Sequence, residues 1–174
     1  MERKLLLYIA TSLDGYIAGE NDDLSFLEVV EQEGEDYGYS EFIDTVDTIV
    51  LGRKTYDKII SIGFPYPANI EKIYVITRSA RPADGRVEFY TGDPVQLIND
   101  LKKQPGKHIF CDGGAEIVNQ LLKAGLFDEY TVSIIPVLLG GGVRLFKDGW
   151  DTRNLTLIAA KSFPKGLVQL YYRN

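Results

Sequence analysis

Cysteine occurs once in this 174-residue chain, at Cys111, and histidine once, at His108. A single cysteine excludes an internal disulfide. One cysteine and one histidine are too few for a tetrahedral zinc site, so no metal is expected. Cations are also in deficit: 19 lysines and arginines face 25 acids, a formal net charge of -6. That balance argues against a general nucleic-acid binder, whose phosphate contacts need a basic face. Long apolar runs are missing too. Leu5 to Ala10 is too short to span a bilayer and lacks a small-residue cleavage site. No membrane association and a cytoplasmic location are the expectation. No repeat, low-complexity tract or long linker interrupts the chain, which reads as one domain over 1–174.

What is present alternates. "LLLYIA" (5–10), "TIVL" (48–51), "KIYVIT" (72–77) and "HIFC" (108–111) are nearly continuous apolar runs, suited to strands covered on both faces. Between them lie helical stripes: Tyr39, Phe42, Ile43 and Val46; then Pro94, Leu97, Ile98 and Leu101 behind an Asp93 N-cap; then Ile117, Val118, Leu121 and Leu122, stopped by Gly125. Beyond Gly125 the pattern alternates at period two over 129–137, 154–163 and 167–173, with a turn at Lys165-Gly166. The reading is a mixed α/β sheet closed by a C-terminal antiparallel hairpin.

Three strand ends carry groups suited to phosphate. Gly52-Arg53-Lys54-Thr55 stands where a strand passes into a helix, and a helix N-terminus offers free N–H groups and a partial positive charge. Alone, that stretch reads first as a solvated surface turn. Gly113-Gly114 repeats the strand-to-helix junction, with glycines that let a ligand approach the backbone. Thr77, Arg78 and Ser79 end a third strand. In open α/β sheets ligands bind beyond the carboxyl ends of the strands, where these three stretches would meet.

The order "LLLYIATSLDGYIA", "IVLGRKTY", "YVITR", "FCDGGAEIVNQLL" and "EYTVSIIPVLLGGGVRLF" resembles the dihydrofolate reductase superfamily, and within it the reductase domain of riboflavin-biosynthesis deaminase/reductases and its stand-alone relatives. The resemblance covers nearly the whole chain. It implies a three-layer α/β/α fold with a mixed, mainly parallel sheet, NADPH as cofactor and a homodimer. Gly52, Arg53, Lys54 and Thr55 match the stretch on the cofactor's phosphates; Thr77, Arg78 and Ser79 match the edge at the adenosine 2′-phosphate. Gly113, Gly114, Ala115, Glu116 and Ile117 match the segment beside the pyrophosphate and nicotinamide, and a cis Gly113–Gly114 peptide is expected. Ala10 and Ile17 match positions flanking the nicotinamide.

The substrate side departs from the riboflavin pattern. Tyr16 stands where a basic residue is usual, and Asp112 where glutamate is common. Asp23, in "DDLSFL", takes the place of the acid that faces the pterin in dihydrofolate reductases. It reads either as the proton donor or as a helix cap. Asp14 reads as a second candidate or as a turn former. The activity implied is hydride transfer to a small pterin-like, aminopyrimidine-like or carbonyl substrate. The alternative is a non-catalytic, dimeric nucleotide-binding module. Trp150 reads as pocket cover, subunit contact or core.

Overall fold

The computed structural model describes residues 2–174. Ten strands and four helices run in the order β1 Leu5–Ser12, β2 Tyr16–Ala18, α1 Tyr39–Ile43, β3 Val46–Gly52, α2 Arg53–Ser61, β4 Lys72–Ile76, β5 Val87–Tyr90, α3 Pro94–Lys102, β6 His108–Cys111, α4 Ala115–Lys123, β7 Glu129–Ile135, β8 Val143–Arg144, β9 Thr156–Ser162 and β10 Val168–Arg173. Eight strands form one sheet in the order β5-β4-β3-β6-β1-β7-β10-β9. Pairing is parallel from β5 through β7 and antiparallel across β10 and β9. β2 and β8 pair as a separate antiparallel ribbon.

The apolar runs explain the layers. In β1, Leu5 and Leu7 point to one face and Leu6 to the other, because successive side chains alternate. Leu5 and Leu7 join Val50, Ile109 and the apolar stripes of α3 and α4. Leu6 joins Ile49, Leu51, Val75 and Phe110 under α1 and α2. Leu5, Ile49, Val50 and Ile109 are completely buried, and each such side chain contributes roughly 1.5–3 kcal/mol of transfer free energy. The sheet therefore sits between two helical layers. Asp93 caps α3 by accepting from the Val95 amide at 3.0 Å, with Pro94 at the first helical position.

Local differences from the sequence reading have local causes. Val46 continues the helical period, yet it opens β3 and is fully buried; α1 stops at Ile43 because the sheet claims the residues from Val46 onward. The segment after β2 forms two short 3-10 turns, Glu20–Asp22 and Ser25–Val30, with Asp23 between them. Strands β2, β5 and β8 are too short to print a period in the sequence. β5 survives through its pairing with β4, from Ile73↔Val87 to Ile76↔Tyr90. Trp150 lies at the surface against Phe146, with ring centroids 6.3 Å apart. No helix among the described residues is long and apolar enough to cross a membrane.

Candidate functional site

The carboxyl ends of β3, β4 and β6 lie side by side, since β3 pairs with both neighbours in parallel. α2 starts at Arg53 and α4 at Ala115, so two helix N-termini open at that edge. The Gly52 amide donates to the Gly113 carbonyl at 2.7 Å, tying the two junctions together. The Gly113–Gly114 peptide is cis, as expected. A side chain at Gly114 would come within 3.1 Å of Thr55 Oγ1, and one at Gly52 within 3.5 Å of Ile117. Gly113 has φ +89° and nothing near its open side, the left-handed geometry that glycine tolerates. Gly52, Thr55, Gly113, Gly114 and Ile117 thus converge on one cleared surface.

The neighbouring residues flank it. Arg53 pairs with Asp57 one turn along α2, at 2.6 Å. Among the described residues Lys54 and Arg78 have no carboxylate partner. Thr77 is buried, donates its amide to the Tyr90 carbonyl, and accepts from the Ser79 amide at 3.2 Å. Arg78 and Ser79 are left exposed just past β4. Ala115 is buried at the start of α4, and Glu116 is exposed beside it. Glycine-cleared backbone, two helix N-termini and free cations make a donor set that fits a dinucleotide pyrophosphate with an added phosphate.

Beneath the α1 side of the sheet lies a cavity of about 220 Å³. Ala10, Leu27, Val30, Ile135 and Leu167 form its apolar walls. Tyr8, Tyr37 and Ser133 supply its hydroxyls, and Glu31 and Asp36 reach its lining. The Gln169 amide nitrogen lies 3.2 Å from Tyr8 Oη, 3.2 Å from Ser133 Oγ and 3.0 Å from the Tyr37 carbonyl. Ala10 pairs with Ser133 across β1 and β7, which sets both on the cavity floor. Ile17 packs instead toward the α3–α4 core.

Neither expected acid is placed for proton donation. Asp23 is exposed and does not line the cavity. Its carboxylate accepts from the Ser25 hydroxyl at 2.6 Å and the Ser25 amide at 3.3 Å, and these bonds lower its pKa. It closes a local turn onto Ser25 and does not cap the Ser25–Val30 helix, whose N-cap is Leu24. Asp14 accepts from the Ser12 hydroxyl at 2.6 Å and from the Leu139 and Gly140 amides at 3.0 and 2.7 Å. The Ser12 bond first, then the two amides, hold Asp14 down to about 2. It pins the loop after β1 to the loop after β7.

Asp112 is the acid that sequence reasoning passed over. It comes directly after β6, its amide donates to the Val50 carbonyl at 3.0 Å, and the cis peptide comes next. Leu7 pairs with Cys111, so Tyr8 and Asp112 continue neighbouring strands on the face already occupied by Leu6 and Phe110. Tyr66 Oη donates a hydrogen bond to Asp112 Oδ2. Burial pushes the Asp112 carboxyl up to about 6, against the Tyr66 bond, which lowers it. The Tyr66 hydroxyl is pushed well above its ordinary value by burial and by Asp112. Tyr39, edge-on to Tyr8 at 5.8 Å, is raised to about 12 by burial, Asp112 and Tyr8 in that order. The sequence did hold a signal: an acid ending a buried strand, immediately before Gly-Gly.

A strand-end cleft cleared by a glycine pair, on a mixed, mainly parallel eight-stranded sheet, defines a protein of the dihydrofolate-reductase fold. The chain belongs to the RibD C-terminal domain family, whose profile matches residues 67–169. It is 41% identical to YwjB of Bacillus subtilis, an uncharacterized protein, over 99% of this chain and 98% of that one. A candidate riboflavin biosynthesis protein from Shewanella sp. PV-4 superimposes with a TM-score of 0.88 at 29% identity, covering 99% of this chain and 98% of that chain. Dihydrofolate reductase from Enterococcus faecalis, solved with NADP(H), has a TM-score of 0.67 at 18% identity, covering 100% and 99%. The fold is one that solved reductases share.

Proposed function

We propose that this chain is an NADPH-dependent reductase acting on a small heterocyclic or carbonyl compound held in the cavity beside Ala10. The observation that carries this reading is the meeting of Gly52, Thr55, Gly113 and Gly114 at one cleared surface, with Arg78 and Ser79 at the next strand end. The cofactor, when bound, supplies the hydride. Gly52, Gly113 and Gly114 leave room for its pyrophosphate; Arg53, Lys54 and Thr55 face the phosphates, and Arg78 recognises the 2′-phosphate. On the other side, the apolar walls hold a flat ring and exclude water. Asp112 supplies the proton in this reading: it lies outside the cavity lining but on the same face of the sheet, next to Tyr8 in register and directly before Gly113, and its raised pKa keeps a share of it protonated near neutral pH.

NADPH titration tests the reading. Removing one charged contact to phosphate costs about 1.5–3 kcal/mol, so Arg78→Ala should weaken NADPH binding tenfold or more while leaving NADH unchanged. Equal wild-type affinity for NADH and NADPH would refute the 2′-phosphate assignment. NADPH binding without turnover on any pterin, aminopyrimidine or carbonyl would favour the nucleotide-binding module instead.

The active form is a cytoplasmic homodimer in this reading. β9 is the outer strand of the sheet and is exposed along nearly all its length, with Leu157 at 53% and Ile158 at 45% exposure. An apolar edge strand of that kind is a pairing surface. Light scattering should give a dimer at micromolar concentration and a monomer for Ile158→Asp; a monomeric wild type refutes it.

A further inference from the structure

We propose that the cavity beneath α1 selects flat, amine-bearing rings that carry no anionic group, with Ser133 and Glu31 as the residues that make the choice. Only the word substrate rests on the reductase reading; the ligand preference rests on the cavity itself. Both charged residues lining it, Glu31 and Asp36, are acids, and no lysine or arginine lines it. The nearest cation in sequence order to that wall, Lys165, gives its ammonium to the Glu31 main-chain carbonyl. The cations Arg144 and Lys147 border a different, open hollow with Tyr16, on the β2–β8 ribbon.

The polar groups sort into those already used and those still free. The Asp36 carboxylate accepts from the Gly38 and Ser40 amides at 2.9 and 3.0 Å. Tyr8 donates to the Tyr37 carbonyl at 2.7 Å and accepts from Gln169. Ser133 accepts from Gln169, and its own hydroxyl hydrogen has no acceptor among the described residues. It is 5% exposed and sits on the cavity floor. A buried hydroxyl hydrogen without a partner is matched by a ligand carbonyl or ring nitrogen. The Glu31 side chain, which has no ion-pair partner among the described residues, is matched by an exocyclic amine at the rim. A phosphate or carboxylate there would meet two acids across apolar walls, and the one ammonium beside that wall, Lys165, is already held by the Glu31 carbonyl. At about 220 Å³ the cavity has room for one or two fused rings.

The test is calorimetric titration of the full chain, with and without NADPH, using 6-methylpterin and pterin-6-carboxylate as matched probes. The wild type is expected to bind 6-methylpterin at least about tenfold more tightly than the carboxylate, since like charges at a binding site oppose each other. Glu31→Lys, at an exposed position, should shrink that ratio to below about threefold. Ser133→Ala should weaken 6-methylpterin about tenfold, the scale of one hydrogen bond, and leave NADPH affinity intact. Tighter binding of the carboxylate, a ratio unmoved by Glu31→Lys, or binding of neither probe would overturn the proposal. Carboxylate binding lost in Arg144→Ala would overturn it too, by placing the ligand in the Tyr16 hollow. A pterin preference that persists in a protein that does not bind NADPH would sink the reductase reading and leave this one standing.

Discussion

Asp112→Asn separates a proton donor from a structural acid. With a pKa of about 6, the carboxyl is about one-half protonated at pH 6, about one-tenth at pH 7 and about one-hundredth at pH 8. Single-turnover oxidation of NADPH by a reducible pterin should therefore be fastest below pH 6 and fall about tenfold per pH unit above it. Asparagine keeps the shape and still accepts from Tyr66, but it has no proton to give. General acid catalysis contributes roughly 10²–10⁴-fold, so the variant should lose that much at pH 5.5 and show no limb near 6. Tyr66→Phe carries the opposite sign. The Tyr66 bond favours the ionised carboxylate, so losing it raises the Asp112 pKa and moves the limb upward. Stability gives a second readout. An acid whose pKa rises on folding contributes stability that is fully present below its unfolded value, near 3.8, and lost as pH rises through about 6. That interval is worth about 3 kcal/mol at most. Asp112→Asn should accordingly be more stable than wild type at pH 8 while being less active. Infrared difference spectra would follow the Asp112 carboxyl band directly, without a substrate. A midpoint below 4.5, or unchanged turnover in Asp112→Asn, refutes the assignment.

At the opposite end of the sheet Arg3 is clamped: its guanidinium donates to Asp47, to Thr48 Oγ1 at 2.5 Å, to the Lys107 carbonyl at 2.7 Å and to the Leu101 carbonyl at 3.3 Å. Both members of the Arg3–Asp47 pair are buried, so Asp47→Ala should cost about 3–5 kcal/mol in urea unfolding by stranding the guanidinium; a loss under about 1 kcal/mol would contradict the clamp. Gly142→Ala puts a methyl group 2.2 Å from the Ala18 carbonyl oxygen at φ +120°, and thermal unfolding should show a clear drop, with the β2–β8 ribbon displaced. Asp14→Asn should speed hydrogen exchange at the Leu139 and Gly140 amides and leave NADPH affinity unchanged. The wild-type loop should loosen only as pH falls through about 2, because a carboxylate depressed on folding stabilises above its unfolded pKa and stops doing so below its folded one.

Much of the fold was legible because burial leaves a period. β1, β3, β4 and β6 read as apolar runs since both faces are covered, and α3 and α4 read as stripes since one face is. β5 and the β2–β8 ribbon did not, because a few residues held by a partner strand print no pattern of their own. The strand-end cleft was legible because glycine, threonine and arginine at strand ends are local signals, and parallel pairing then brings the ends together. The substrate side was not. Its floor joins Tyr8, Ser133 and Gln169, residues 125 and 36 positions apart along the chain, and Asp23 stood out only because acids near a helix start are conspicuous.

That difference comes from how the two halves are built. A phosphate cleft needs backbone N–H groups and cations, which one short strand-to-helix junction supplies by itself. A cavity for a neutral ring needs walls from many elements and a proton donor kept partly unionised, and for Asp112 it is burial that raises the pKa. Burial comes from the assembled fold: Asp112 is shielded by Tyr66, which arrives from the loop after α2, and lies near Tyr39 of α1. A sequence shows an acid before Gly-Gly; the burial that only the assembled fold provides is what makes it hold its proton up to about pH 6.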